Sequence, residues 1–556
     1  MTDAPAAPNP PGSPPVKPAP SAQSGGIMRN SLINSSFTLL SRLAGFARDL
    51  VLAAYIGASG NIMADAYYTA QAFPNLFRRI FAEGAFSAAF VPAYSAALER
   101  DGKAAADKMA HDAMATLTFV TVAFCLLCQF SMPWLMYLIK PGFADDPAKF
   151  KLAVLFTQIT MPYLPCMAIV AHLSGVLNAR GRFLMSAGVP ILLNVVTLAA
   201  ILPQHTYFGS ALWGSIGTAI AGVLQAGMLL WGAKKTGAHV NLSIIPVFSR
   251  DVNKLLLLAV PGALAAAATQ VNIFISGIFS SSIHGATAWL SMADRFYQLP
   301  IGMVGVAIGT ALLPALSRAV HSGDHAAAQK QMDQAIVFSM AFALPAAAAL
   351  MAMPFFLMDG LYTRDGFYVS DSQQVARCLF HYGWGVPAFV LTRILNPAFF
   401  ARKDTFGPMK FAMVSVVVNL AVGLSMFKLI GTAGLAIGTS TAAWVNVVLM
   451  VVTLARRKTW IIHTPALIKL GLLLICGAGM AAFCAFATHE RPLIEAAIGS
   501  VVPWVEGLPL LPVIFAHTKE IAVLGVCFAG LFLYIGLLFV TRAIRWHELK
   551  AILKRR

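Results

Sequence analysis

Hydrophobic residues run along this chain in long unbroken blocks, and polar residues gather between the blocks rather than alternating within them. Fourteen blocks can be traced, at 32–57, 64–95, 109–139, 152–179, 184–203, 209–233, 254–281, 286–317, 331–358, 373–400, 408–430, 433–455, 466–488 and 519–541. Each reaches or exceeds the roughly 20 residues a helix needs to cross a bilayer. A transmembrane β-barrel would instead alternate polar and apolar residues over strands of about 10. The pattern predicts an all-α polytopic membrane protein with fourteen transmembrane helices. The longest blocks must tilt, bend or protrude, and breaks are expected at Pro74, Pro162, Pro300 and Pro387.

Composition agrees with the pattern. Of 556 residues, 58% are hydrophobic and 11% charged, where soluble domains carry about 25% charge. The net charge of +17 is unevenly distributed. With the N-terminus placed inside and the lysines at block starts (Lys254, Lys410, Lys469, Lys519) assigned to the adjoining connections, the inside segments carry 26 of the 40 Lys and Arg residues and the outside loops 6, with 8 deeper within the blocks. That bias predicts both termini on the cytoplasmic side. The basic excess is then a topology signal and does not call for nucleic acid. Residues 1–28 form a Pro/Ala/Ser-rich stretch without an apolar core, which predicts a disordered cytoplasmic tail rather than a signal peptide. Residues 543–556 are a basic cytoplasmic tail.

An internal repeat divides the blocks. Val91-Pro-Ala-Tyr-Ser-Ala-Ala-Leu98 recurs as Leu313-Pro-Ala-Leu-Ser-Arg-Ala-Val320, and Lys103–Lys108 as His325–Lys330, each after 222 residues. Ala179-Arg180 matches Ala401-Arg402 at the same step, and Asn194 matches Asn419 at 225. Six blocks separate the copies, so the repeats share one orientation in the membrane. The expected organisation is two six-helix lobes, 29–235 and 250–457, followed by a helix pair at 465–542. Parallel repeats of this kind are a transporter architecture with the substrate between the halves. No function is read for the long outside loop 489–518.

The informative chemistry is charge inside the blocks. Arg42, Arg48 and Asp49 lie in the first, and Asp65, Arg78, Arg79 and Glu83 in the second. The eighth carries Asp294 and Arg295. One arginine facing lipid at mid-depth costs about 3 kcal/mol even on the lenient insertion scale, so these side chains must face protein, water or an anion. On a helix Arg42 and Asp49 share a face, while Arg48 points about 120° away. Arg79 and Glu83 are spaced for an i,i+4 pair. Internal pairing of Arg42 with Asp49, Arg79 with Glu83 and Arg295 with Asp294 is one reading. The other counts five arginines against four acids, one of them Asp65 near the outer surface, and leaves a net positive, hydrated cavity. Arginine suits phosphate because its planar fork donates two hydrogen bonds and stays ionised. Such a cavity attracts a phosphorylated or carboxylated substrate and repels cations.

Other candidates carry less. Cys125-x-x-Cys128 has metal or redox spacing but no second pair, and all seven cysteines fall in apolar segments. The twelve histidines show no ligand spacing, so no zinc site is expected. No phosphate-binding glycine loop or nucleophile elbow is present, so the chain is expected to be a transporter and not an enzyme.

These strings resemble the MurJ/MviN lipid II flippases of the multidrug/oligosaccharidyl-lipid/polysaccharide exporter superfamily. The resemblance rests on S-R-L-A-G-F-A-R-D (41–49), Asp65-Ala-Tyr-Tyr, P-N-L-F-R-R-I-F-A-E-G-A-F-S-A-A-F-V-P (74–92), P-G-F-A (141–144) and A-D-R-F-Y-Q-L-P-I-G-M-V-G-V-A-I-G-T-A-L-L-P (293–314), within 30–545. It implies export of undecaprenyl-diphosphate-linked peptidoglycan precursor across a bacterial inner membrane by alternating access. It further implies a lipid-tail groove beside the last two helices. On the family pattern Ser41, Arg42, Arg48, Arg78 and Arg295 are substrate-binding, and Asp49, Asp65, Arg79, Glu83 and Asp294 are gating or structural charges. Some members bind sodium through an acid of the seventh helix; the block 254–281 has none, so no metal or cofactor is expected, and coupling falls to membrane potential or an unidentified ion. The partners implied are lipid II, membrane lipids and the cell-wall synthesis machinery. The rival readings are export of another polyprenyl-diphosphate glycan such as an O-antigen precursor, drug/cation antiport, and a non-transporting cell-wall scaffold.

Overall fold

The structure is a computed structural model, and it describes residues 24–78, 86–364, 366–402, 404–500 and 517–543. Among these the chain is helical throughout apart from its connections. The first half comprises α1 (Ser24–Ile56), α2 (Ile62–Arg78), α3 (Phe86–Arg100), α4 (Gly102–Ile139), α5 (Pro147–Thr160), α6 (Tyr163–Ala179), α7 (Phe183–Ile201) and α8 (Tyr207–Lys235). The second comprises α9 (Arg250–Ser280), α10 (Ala286–His321), α11 (His325–Ala352), α12 (Pro354–Tyr362), α13 (Val369–Gly383), α14 (Val386–Phe400), α15 (Phe406–Ile430) and α16 (Thr432–Arg456). α17 (Thr464–His489), the short α18 (Arg491–Gly499) and α19 (Thr518–Val540) complete the chain. By length and composition, nine helical stretches of the described residues can cross a membrane. The chain is a multi-pass membrane protein.

Polar side chains set several helix starts. Asp146 caps α5 by accepting from Ala148 N and Lys149 N at 3.1 Å, with Pro147 at the first turn. Thr206 caps α8 through Gly209 N at 3.0 Å, and Asp324 caps α11 through Ala327 N at 2.8 Å. Each supplies an acceptor to an N–H that has no partner inside its own helix.

The prolines act unequally. The block 152–179 is interrupted at Met161-Pro162, between α5 and α6, and Pro387 sits in the first turn of α14 after a stop at Gly383. Pro74 and Pro300 do not break their helices: α2 continues to Arg78 and α10 runs unbroken from Ala286 to His321. A lost hydrogen bond is tolerated there because neighbouring helices and polar side chains can satisfy the freed carbonyl. The first helix begins earlier than the composition suggested, since α1 is already helical at Ser24, within the tail expected over 1–28; residues 1–23 and 544–556 lie outside the described part.

Contacts recur at the repeat spacing. His239 N–H donates to Asp107 at 3.0 Å, and Ile461 N–H donates to Gln329 at 3.4 Å, each pair 132 residues apart. His111 bonds Asn241 O at 3.0 Å and Asp333 bonds His463 at 2.7 Å, each 130 apart. In both halves a side chain from a long helix's first turns pins the connection that leaves the half.

The buried apolar residues form one core running through both halves at the end where α1 turns into α2, from Leu52, Ile56 and Tyr67 to Trp289, Phe296 and Phe356. A second core, around Phe90, Met114, Leu173 and Val176, belongs to the opposite end of the first half. The halves are therefore joined by continuous apolar packing at the α1–α2 end.

Candidate functional site

The charged constellation is built on α1 and α10. Asp49 is buried, and its two carboxylate oxygens serve different arginines. Oδ1 accepts from Arg48 Nε and Nη2 at 3.1 and 2.8 Å, and Oδ2 pairs with Arg295 Nε at 2.9 Å. Arg48 keeps 12% of its side chain exposed and Arg295 54%, so Arg48 is part of the wall while Arg295 looks into open space. Next to this bridge, Phe46 and Phe296 meet edge to face with centroids 5.6 Å apart, and Tyr362 packs against both. The aromatic contact excludes water from one side of the ion triad, which strengthens it.

Arg42 is not paired with Asp49. Its guanidinium lies against the backbone of Gly302 on α10, so closely that a Cβ at residue 302 would overlap it. Arg393 of α14 lies within electrostatic range of Arg42. Ser41 is held through its backbone: Asn194 Nδ2 donates to Ser41 O at 3.1 Å. Asp294 accepts from Gln298 Nε2, one turn along the same helix. Among the described residues Arg48 and Arg295 share the one carboxylate of Asp49, and Arg42 has Arg393 as a charged neighbour, which leaves a local excess of positive charge. Arg78 closes α2, and its side chain lies outside the described residues, as do Arg79 and Glu83.

The second part of the site is a polar closure at the α1–α2 end. Asp65, fully buried, accepts from Lys149 Nζ at 2.5 Å, from Gly285 N at 2.8 Å and from Ala288 N at 3.3 Å. Gly285 is the N-cap of α10 and has φ of +84°, a conformation that favours glycine. A carboxylate on α2 of the first half therefore caps a helix of the second and meets the positive end of its dipole.

Around it, Lys140 Nζ donates to Gly277 O, Ser280 Oγ and Thr287 Oγ1 at 2.9, 3.2 and 3.0 Å. Asp371 accepts from Ser59 N and Oγ at 3.1 and 2.5 Å and from Trp289 Nε1 at 2.8 Å. His284 Nε2 sits 3.0 Å from Ser59 O. Burial pushes the Lys140 ammonium down to about 8; the like charge of Lys149 lowers it further, and Asp65 opposes both.

Sequence reasoning placed Asp65 at this end but missed Lys140, Lys149, Ser59, His284 and Asp371. The two lysines read as ordinary outside-loop charges. Their one local signal is the compact Lys140-Pro-Gly-Phe-Ala turn, whose Phe143 ring lies 4.3 Å from Lys149 Nζ. Asp49's partners were also misassigned, because helical periodicity sees one helix and Arg295 arrives from another.

The sequence profile of the family described as "Lipid II flippase MurJ" matches residues 52–494. The chain belongs to the lipid II flippase MurJ family. A "Probable lipid II flippase MurJ" of Rhizobium tropici is 38% identical over 82% of this chain and 86% of its own length. One of Rhizobium meliloti is 36% identical over 90% and 91%, and the "Lipid II flippase MurJ" of Burkholderia cenocepacia is 33% identical over 78% and 84%.

Among solved structures, "Lipid II flippase MurJ, inward closed conformation" superposes with a TM-score of 0.72 at 21% identity, covering 91% of this chain and 98% of that one. An inward-facing multidrug resistance MATE transporter of the MOP superfamily superposes with a TM-score of 0.59 at 12% identity, covering 80% and 98%. These two likenesses are of fold.

Proposed function

We propose that the chain moves lipid II, the undecaprenyl-diphosphate-linked peptidoglycan precursor, from the cytoplasmic to the outer leaflet of a bacterial inner membrane. The observation that carries the reading is the Asp49 bridge: one carboxylate holds Arg48 and Arg295 from the two halves side by side, with Arg42 nearby and net positive charge left over. A diphosphate satisfies that excess by accepting forked hydrogen bonds from guanidinium groups already in position. Family membership supplies the precursor; the charge supplies the reason a cationic drug is a poor cargo.

The transport cycle follows from the two parts of the site. With both termini cytoplasmic, as the basic residues favour, the Asp65–Asp371 closure seals the outer end and substrate enters from inside. Binding neutralises the arginines and weakens the repulsion that holds the inner ends of the halves apart. The halves then rock about the site, the Asp65–Gly285 and Asp371–Ser59 bonds part, and the headgroup is released outward while the polyprenyl chain stays in lipid beside α17 and α19. No bond is made or broken, so no catalytic group or cofactor is needed. The inside-negative potential drives an anion outward by about 2.3 kcal/mol per charge per 100 mV. Cell-wall synthesis enzymes are the natural partners on the product side.

Depletion of the protein in its native cell tests the reading. Lipid II should accumulate on the cytoplasmic face, scored by its inaccessibility to an externally added lipid II-cleaving enzyme. Accumulation of a different polyprenyl-diphosphate glycan, with lipid II export unchanged, would overturn it.

A further inference from the structure

The connection between α8 and α9, residues 236–249, holds an arrangement that transport does not use. It runs along α4 rather than out into solvent, and its anchors descend that helix in order. His239 N–H donates to Asp107 Oδ2 at 3.0 Å, His111 Nδ1 donates to Asn241 O at 3.0 Å, and Val247 N–H donates to Thr116 Oγ1 at 3.1 Å. From Asp107 to Thr116 the connection descends about 13 Å.

The upper level is a recess of about 280 Å³ lined by Ala104, Asp107, Lys108, His111, His239 and Asn241. Asp107 is buried and committed: Arg180 and the Tyr94 hydroxyl donate to Oδ1, and His239 N–H to Oδ2. Lys108 is exposed. The recess therefore presents an ammonium and two imidazoles, and its one carboxylate is already satisfied.

The lower level is apolar. Leu242, Ile244, Ile245 and Phe248 are 52, 56, 77 and 61% exposed. Four large apolar side chains together in water would be an unusual surface. They lie instead beside the stretch where α4 changes from Lys103–Asp112 to the run Leu117-Thr-Phe-Val-Thr-Val-Ala-Phe124, at the level where the helix enters lipid. A cationic recess one or two turns above an apolar surface matches the two parts of a phospholipid.

We propose that this recess binds the headgroup phosphate of an anionic membrane phospholipid, with its acyl chains along Ile244, Ile245 and Phe248. The second half provides an internal contrast. At the position of His111 it has Asp333, which accepts from Trp460 Nε1 at 3.0 Å and pairs with His463 at 2.7 Å. Arg180 neutralises Asp107, whereas its counterpart Arg402 donates to the Ala398 and Thr459 carbonyls and leaves the Asp333 charge to disfavour phosphate, so the site belongs to the first half alone.

Native mass spectrometry of the full-length protein tests this, with phosphatidylglycerol and phosphatidylcholine of identical chains as probes. Phosphatidylglycerol should be retained preferentially, and Lys108→Glu should cut its retention about fivefold. Lys330→Glu, at the equivalent place in the second half, should leave retention unchanged, as should Arg42→Ala in the transport cavity. Ile245→Ser should weaken both lipids, and millimolar inorganic phosphate should displace neither. Full retention by Lys108→Glu overturns the proposal, and so does equal loss in Lys330→Glu. Loss in Arg42→Ala would assign the lipid to the cavity, and displacement by phosphate would mean a free-anion site; either refutes it.

Discussion

Asp65 on α2 accepts the backbone N–H of Gly285 at 2.8 Å, so a side chain of the first half completes the first turn of α10 in the second. The same carboxylate takes the Lys149 ammonium at 2.5 Å, in a place sealed from solvent. Opening this end must leave α10 uncapped and expose a buried ion pair of the first half to water.

Asp65→Ala should therefore weaken the closed state. Removing one partner of a buried pair costs about 3–5 kcal/mol, part of it recovered as Lys149 becomes hydrated on opening. A cysteine at Thr69, one turn beyond Asp65 on α2 and 2% exposed, should react with a membrane-impermeant maleimide at least tenfold faster in the Asp65→Ala background, since tenfold requires only about 1.4 kcal/mol. An unchanged rate would mean that the closure does not depend on Asp65.

Gly302 touches the Arg42 guanidinium so closely that any Cβ must displace it. Gly302→Ala, which pushes the flexible guanidinium aside, should reduce complementation at normal membrane expression, though less than Arg42→Ala does. Gly227→Ala on α8, where nothing lies within 4 Å of the new atom, should be silent. Equal growth of the two variants would show that the Arg42 position is not critical.

The Asp49 bridge makes a different prediction for charge and for shape. Arg42→Ala, Arg48→Ala and Arg295→Ala should each lose complementation, and lysine should rescue only in part, because it keeps the charge and loses the fork. Asp49→Asn should also fail, since it leaves Arg48 and Arg295 adjacent without a carboxylate between them. Full growth of Asp49→Asn would reduce the bridge to a packing contact.

Lys140 gives the closure a pH dependence. It sits at about 8 when buried in the closed state and returns to about 10.4 when hydrated. The closed state therefore binds fewer protons than the open one between these values, and raising the pH from about 8 to 10 should favour closure; below 8 this group contributes no slope. Spin-label distances across the α1–α2 end, followed from pH 7 to 10, should shift toward the short population, and Lys140→Gln should flatten that shift. A shift toward the long population in the wild type would contradict the assignment.

What the sequence determined by itself is what the bilayer dictates locally. Long apolar blocks specify helices, because backbone groups in lipid must pair within their own segment. Charges placed inside those blocks, Arg42, Arg48 and Arg295 among them, announce a polar interior because facing lipid is too costly. The stop at Pro162 was equally legible, being a property of a few adjacent residues.

Tertiary structure decided the partnerships. Periodicity on α1 offered Asp49 to Arg42, yet Asp49 binds its neighbour Arg48 and the distant Arg295, because α10 brings that guanidinium to the other carboxylate oxygen. Lys149, an unremarkable loop cation in sequence, became the buried partner of Asp65 for the same reason. Pro300 left α10 unbroken, since its effect depends on what surrounds the freed carbonyl and not on the ring alone. A pairing across 84 or 246 residues is set by how helices pack, and packing energy is a property of surfaces brought together, which no single segment carries.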